Sequence, residues 1–283
     1  MMIIKHFLVL AMILGFSSCT AQPTRFDDLT NRVRLCDADG VSLLYNESFD
    51  RLTHEEKTEL IEIAIRTRFD CQKRLAVIKI LLDRIQGVEI RSANGFSPIH
   101  LAASSGCNDI LGFLLEQGFS VNDANPLSGI TPLHIACANG LHESVKFLLD
   151  HGADSKVADF NGRVPMHSAV EIDEEMVRLL TSIDGSPIDV RDNFGLSPLF
   201  YLLMEDKDED QLLSTIRVAL RAKPDLTLPI QTVSTSDSTL GIRVKASVKP
   251  VAGDTVKSFA LKRGFTRIAE FLDGVQSQLD HQH

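Results

Sequence analysis

The 283 residues carry 29 Lys and Arg against 38 Asp and Glu, a formal charge of −9, so no broad positive field exists to collect phosphate and nucleic acid is not an expected partner. Hydrophobic residues make up 44 % of the chain while only 6 % is aromatic and Trp is absent, which points to a core of packed aliphatic helices. The length suits one large domain, two small ones or a stack of repeats.

The first element predicted is an export signal. Residues 1–18 place Lys5 and His6 ahead of an apolar run, 7–16, that is too short to span a membrane comfortably. The string FSSC at 16–19 resembles a bacterial lipoprotein signal, which implies cleavage before Cys19 and lipidation of that residue. Phe16 stands where such signals usually carry an aliphatic residue; cleavage after Ala21 and an uncleaved anchor are the other two readings. The chain is therefore expected in a bacterial cell envelope, facing the periplasm or the exterior, or secreted, with a lipid as its only membrane contact. In such an oxidising compartment four further cysteines matter: Cys36, Cys71, Cys107 and Cys137. They are too few for a stapled scaffold and lack the close pairs of a zinc site. Cys36 with Cys71 is the bridge expected.

Residues 19–53 read as an N-terminal segment and linker. A helix over 60–65 and a second over 77–82 follow, and then the strongest signal in the chain: GFSPIHLA at 95–102, GITPLHIA at 129–136, GRVPMHSA at 162–169 and GLSPLFYL at 195–202. Their prolines, Pro98, Pro132, Pro165 and Pro198, are spaced by 34, 33 and 33 residues. Ser or Thr before Pro starts a helix, because the hydroxyl can cap it and the first turn does not need the missing amide hydrogen. Gly106 and Gly140 stop these first helices; second helices carrying Ile110, Leu111 and Leu114, then Val145, Leu148 and Leu149, run on to Gly118 and Gly152. An acidic run at 205–210 reads as a solvated loop, and 226–252, rich in Thr, Ser and Val, as a plain insertion. A last frame begins at Gly253, with Ile268, Phe271 and Leu272 in its second helix, and 275–283 is a tail.

This pattern resembles the ankyrin family, whose repeat carries Thr-Pro-Leu-His-x-Ala at a period of about 33 residues. The resemblance implies an all-α solenoid of about five to six helix-turn-helix units over 54–274, joined by β-turn or hairpin connections. It also implies that the recurring His100, His134 and His167 hydrogen-bond turn backbone and tie one repeat to the next. Repeats lie roughly 10 Å apart, too far for these rings to share a zinc ion at about 2 Å. Phe200 replaces the histidine in the next unit. No nucleophile elbow, phosphate loop or zinc-protease motif occurs, and Cys137 sits where a buried, unreactive thiol is expected, so neither enzyme chemistry nor any cofactor or metal is expected.

Recognition is then expected at the turn tips and first helices, with a protein as the partner and the chain itself monomeric. The candidates are Asn125, Leu127, Phe160, Asn161, Arg163, Asn193, Phe194 and Leu196 at the turns, and Asn139 and Glu171 on the first helices. Phe160 and Phe194 can either anchor an interface or pack on a neighbouring repeat, while Phe96 reads as packing. The basic stretches at 66–68 and 262–263 read as solvated helix faces. A non-enzymatic scaffold or adaptor fits best. Alternatives are a secreted effector or toxin-neutralising inhibitor, an enzyme or peptide-binding protein whose site is completed by 226–252, and a structural envelope spacer.

Overall fold

The computed structural model describes residues 25–48, 51–83, 90–182, 188–222 and 250–280, with Leu226 and Ile230. The signal-like segment, Cys19 and most of the insertion lie outside the described residues. Fourteen α-helices occur among them, in seven antiparallel pairs: α1 (Arg25–Arg34) with α2 (Ala38–Ser48), α3 (His54–Arg66) with α4 (Cys71–Asp83), α5 (Pro98–Ser105) with α6 (Asn108–Glu116), and α7 (Pro132–Ala138) with α8 (His142–Asp150). Then come α9 (Pro165–Ile172) with α10 (Glu174–Thr181), α11 (Pro198–Met204) with α12 (Glu209–Ala219), and α13 (Val256–Lys262) with α14 (Thr266–Asp280). First helices stack on first helices and second on second along the whole chain. No strand occurs among the described residues, where tight turns rather than stranded hairpins join the units.

Each helix starts and stops for a local reason. Pro opens α5, α7, α9 and α11. At three helices without Pro a side chain caps the start: Thr53 and Glu56 form a reciprocal capping box on α3, Asp173 accepts from the Met176 amide at 2.8 Å on α10, and Asp208 accepts from the Gln211 amide at 2.8 Å on α12. Ile99, Ala102 and Ala103 of α5, and Ile110, Leu111 and Leu114 of α6, are fully buried against neighbouring units, and the other pairs bury equivalent residues. A pair alone would leave this stripe in water; at about 1.5–3 kcal/mol for each large apolar side chain, stacking is what makes the helices stable.

The stack is longer than the expected 54–274. At the N-terminus α1 and α2 bury Leu29, Val33, Val41 and Tyr45, and the Tyr45 hydroxyl donates to the Leu81 carbonyl at 2.9 Å. Residues 25–48 are thus a helix pair in register with the next, not a linker. At the other end α14 continues to Asp280, into the expected tail.

The insertion leaves and re-enters the stack at a turn tip. Ile230 donates its amide to the Asp254 carbonyl at 2.8 Å and Gly253 donates to the Ile230 carbonyl at 2.9 Å, repeating the bonds of Asp192 to Leu196 and Gly195 to Asp192. Ile230 and Gly253 are 23 positions apart where Asp192 and Gly195 are 3 apart, so the extra chain is added within the turn. The acidic run does more than solvate a loop. Asp206 and Asp210 pair with Arg263 and Arg267 at 3.7 and 2.7 Å, Glu209 accepts the Ile268 amide at 3.0 Å, and Lys207 reaches back to the Glu171 carbonyl at 2.9 Å. The 262–263 pair is correspondingly engaged, with Lys262 on Asp254 at 2.6 Å.

The expected Cys36–Cys71 bridge is replaced by Cys71–Cys107, with Cα atoms 5.8 Å apart. Stacking sets the start of α4 beside the start of α6, and Cys71 can pair only once. Cys36 stays free in the α1–α2 turn, with Sγ 3.6 Å from the Thr67 hydroxyl. Non-reducing peptide mapping should therefore recover a Cys71–Cys107 linked peptide and leave Cys36 alkylatable. Cys71→Ser should lower urea stability by up to about 3–4 kcal/mol for a loop of this length; recovery of a Cys36–Cys71 peptide would contradict the assignment.

Candidate functional site

The turn tips are built by side chains that cap their own turn. Asn125 Oδ1 accepts from the Leu127 amide at 2.8 Å, Asp159 Oδ1 from the Asn161 and Arg163 amides at 2.8 and 2.9 Å, and Asp192 Oδ1 from the Phe194 and Leu196 amides, both at 2.9 Å. Neighbouring tips are then tied together. Asn125 Nδ2 donates to the Asn94 carbonyl at 2.9 Å, the Phe160 amide to the Ser128 carbonyl at 2.8 Å, and Asn193 Nδ2 to the Phe160 carbonyl at 2.9 Å. The turn glycines permit this closeness: at Gly129, φ +74°, an added Cβ would meet the Phe160 amide nitrogen at 2.9 Å and its ring at 2.8 Å.

Beneath the tips lie the three buried histidines, each in one pattern. Nδ1 of His100, His134 and His167 accepts the backbone N–H three residues earlier, at 3.3, 3.2 and 3.1 Å. Nε2 then donates to a carbonyl of the next unit: Ile130 at 2.9 Å, Arg163 at 2.9 Å and Leu196 at 3.2 Å. The acceptor on one nitrogen and the donor on the other fix the neutral Nε2–H tautomer. Burial pushes all three imidazoles below their ordinary pKa, outweighing the neighbouring carboxylates. Phe200 takes the fourth place and packs on Phe259, ring centroids 5.9 Å apart. Tyr201, beside it, is a residue that sequence reasoning missed. Its hydroxyl donates to Asp192 Oδ2 at 2.5 Å and its ring meets His167 edge-on at 5.4 Å, so it holds the tip carboxylate from inside; burial pushes its phenol well above the ordinary range.

Residues 33–125 and 120–192 each match the family model described as ankyrin repeats (3 copies). The chain belongs to the ankyrin-repeat family. Ankyrin repeats are modules of protein–protein contact and non-catalytic scaffolds. No curated protein sequence matches the chain. The ankyrin match starts within α1, in keeping with the additional N-terminal pair. Among the described residues no three His, Cys, Asp or Glu side chains are grouped to hold a metal ion.

On this ankyrin frame the ten recognition candidates separate. Asn125 and Leu196 are only 1 % and 4 % exposed and serve the turns, so neither is a contact residue. Phe194 is half-buried against the core, and Phe96 sits edge-on to His100 at 5.6 Å. Arg163 is half-buried and pairs with Asp159 at 3.2 Å. Leu127 and Phe160 are the exposed pair, at 66 % and 63 %, on adjacent tips. Asn161 and Asn193 are exposed beside them, and Asn139 and Glu171 are exposed at the far ends of their first helices. A small cleft of about 130 Å³ opens between tip and first helix, lined by Ile130, His134, Ile135, Ala138, Asp159, Arg163 and Ser168. Sequence reasoning missed Ile135, Ala138 and Ser168; their signal was the frame itself, since they follow His134 or His167 on the side the neighbouring unit leaves open.

The histidines also set a pH dependence. The unfolded chain takes up protons near pH 6.5, whereas the folded rings resist them, so their contribution is present above that pH and is lost as the pH falls below it. Urea stability should fall between pH 7 and pH 5 by up to about 1.4 kcal/mol per pH unit for each histidine. His134→Gln should flatten that slope by about a third; an unchanged slope would show that these rings titrate normally in the fold.

Proposed function

We propose that this ankyrin chain is a non-enzymatic protein-binding scaffold, exported and tethered by a lipid on Cys19, that takes its partner on the turn tips around Leu127 and Phe160. The observation that carries the reading is the exposure of these two large apolar side chains on neighbouring, hydrogen-bonded tips. An apolar pair held rigidly loses little entropy on binding, and such anchors commonly supply most of an interface's energy. Asn161 and Asn193 give the pair a polar rim, and Asn139 and Glu171 extend the surface along the first helices. The overall charge of −9 favours a partner with a basic or mixed patch, chiefly through the rate of encounter.

Export is supported by the 1–18 pattern and by the Cys71–Cys107 bridge, a bond that persists in oxidising compartments. An envelope adaptor, an exported effector and a toxin-neutralising inhibitor would all use the same tips.

Photoreactive residues at positions 127 and 160, installed in the full-length protein in its own cell envelope, should capture one specific protein. A photoreactive residue at the exposed Lys146 of α8 should not. Leu127→Ser with Phe160→Ser should reduce capture from a third tip position, 193, by at least about ten-fold while leaving the urea midpoint within error. Equal labelling from positions 146 and 160 would remove the tips as the recognition face. Separately, Cys19→Ala should abolish incorporation of labelled fatty acid, and full-length protein remaining in the cytoplasm with residues 1–18 intact would remove the export reading.

A further inference from the structure

Several guanidinium groups of the array are matched to carboxylates: Arg91 to Asp123 at 2.6 Å, Arg163 to Asp159 at 3.2 Å, Arg267 to Asp210 at 2.7 Å. Arg74 of α4 is the exception that matters, because it is only 7 % exposed and has no ion pair among the described residues. Nη1 donates to the Ile65 carbonyl at 2.8 Å and Nη2 to the Cys71 sulfur at 3.2 Å, while Nε is buried with no partner. A permanently charged group so placed is expensive without a counter-charge, and one carbonyl and one sulfur are weak compensation.

Arg74 does not face a closed core. With Arg66 and Arg68 it lines an open cavity of about 360 Å³ where the α3–α4 turn meets the end of α5; Thr67, Phe69, Ser104 and Ser105 complete the wall. Arg66 is held by Glu62 at 3.2 Å, while Arg68 and Arg74 have no ion pair among the described residues. The nearby Asp70 caps α4, its Oδ1 accepting the Gln72 amide at 2.8 Å. The hydroxyls of Thr67, Ser104 and Ser105 donate back to the carbonyls of Ala64, Leu101 and Ala102, at 3.0, 2.7 and 2.9 Å, so they shape the wall and the arginines supply the charge. The Cys71–Cys107 bridge fixes α4 beside α6 and so holds this turn against the end of α5.

We infer that this cavity is a binding site for a small oxyanion, with Arg74 at its floor and Arg68 at its rim. The planar forks of two guanidinium groups suit a tetrahedral phosphate or sulfate and also a carboxylate, and they repel a cation. The location is the inter-helix edge of the stack, at the opposite ends of the first helices from the tips that carry Leu127 and Phe160.

The test is thermal unfolding of the folded, oxidised full chain with sodium phosphate, sodium sulfate or sodium acetate replacing sodium chloride at constant ionic strength. At least one of the three should raise the midpoint saturably, and which one does so tells a tetrahedral anion from a carboxylate. Arg68→Gln, at an exposed rim position, should leave the anion-free midpoint unchanged and weaken binding by about ten-fold, and Arg68→Glu should abolish it. Arg74→Lys should weaken binding through loss of the fork, and reduction of the disulfide should do so by loosening the wall; if either fails to fold, the Arg68 variants decide. A midpoint rise that persists in Arg68→Glu is a general salt effect on stability and overturns the site, as does the absence of any rise beyond chloride.

Discussion

A neutral imidazole buried between two repeats does two jobs at once. By accepting the amide at the start of its own helix and donating to the next unit's turn, each of His100, His134 and His167 fixes both the helix entry and the distance to its neighbour. The accepted bonds are buried and the donated ones buried or partly so, and losing either leaves an unmatched polar group, which costs more than the bond contributes when made. The spacing of the turns, and with it the continuity of the tip surface, follows from this tie.

Junctions without the histidine are fastened by other means. The first pair is held to the second by Tyr45 on the Leu81 carbonyl, and the second to the third by the Cys71–Cys107 bridge. The sixth and seventh are joined by Phe200 on Phe259 and by Arg263 and Arg267 on the acidic run. In a stack where each unit touches only its neighbours, stability is a sum over junctions, and a weak end would fray. Special fasteners accumulate toward the ends, where the regular motif is lost. The central tips, which carry Leu127 and Phe160, are those held by the histidines and the asparagine bonds.

The units with Pro, His and turn Gly were legible because those residues answer backbone demands, which recur with the repeat whatever the side chains around them do. The first pair was not, since Leu43 of α2 points to water and weakens that helix's amphipathic pattern, and no turn motif precedes the pair. The cysteines were misread for a geometrical reason: Cys36, Cys71 and Cys107 are 35 and 36 residues apart, both close to one repeat, so spacing could not choose between them. Their places within the unit do. Phe160 and Phe194 looked equivalent, yet Phe160 stands two residues before its turn glycine and Phe194 one before, and that offset separates an exposed ring from a half-buried one. Arg74 was hidden because a charged residue at an inward helix position has no sequence signature.

Nitrogen-15 NMR of the ring nitrogens of His100, His134 and His167 at pH 6 tests the inter-repeat tie most directly, because it reads protonation and tautomer at the atoms concerned. Three neutral rings carrying the proton on Nε2 are expected, where free imidazoles at that pH would be mostly charged. Imidazolium signals, or neutral rings protonated on Nδ1, would contradict it and would leave the register of the tips without its fastening.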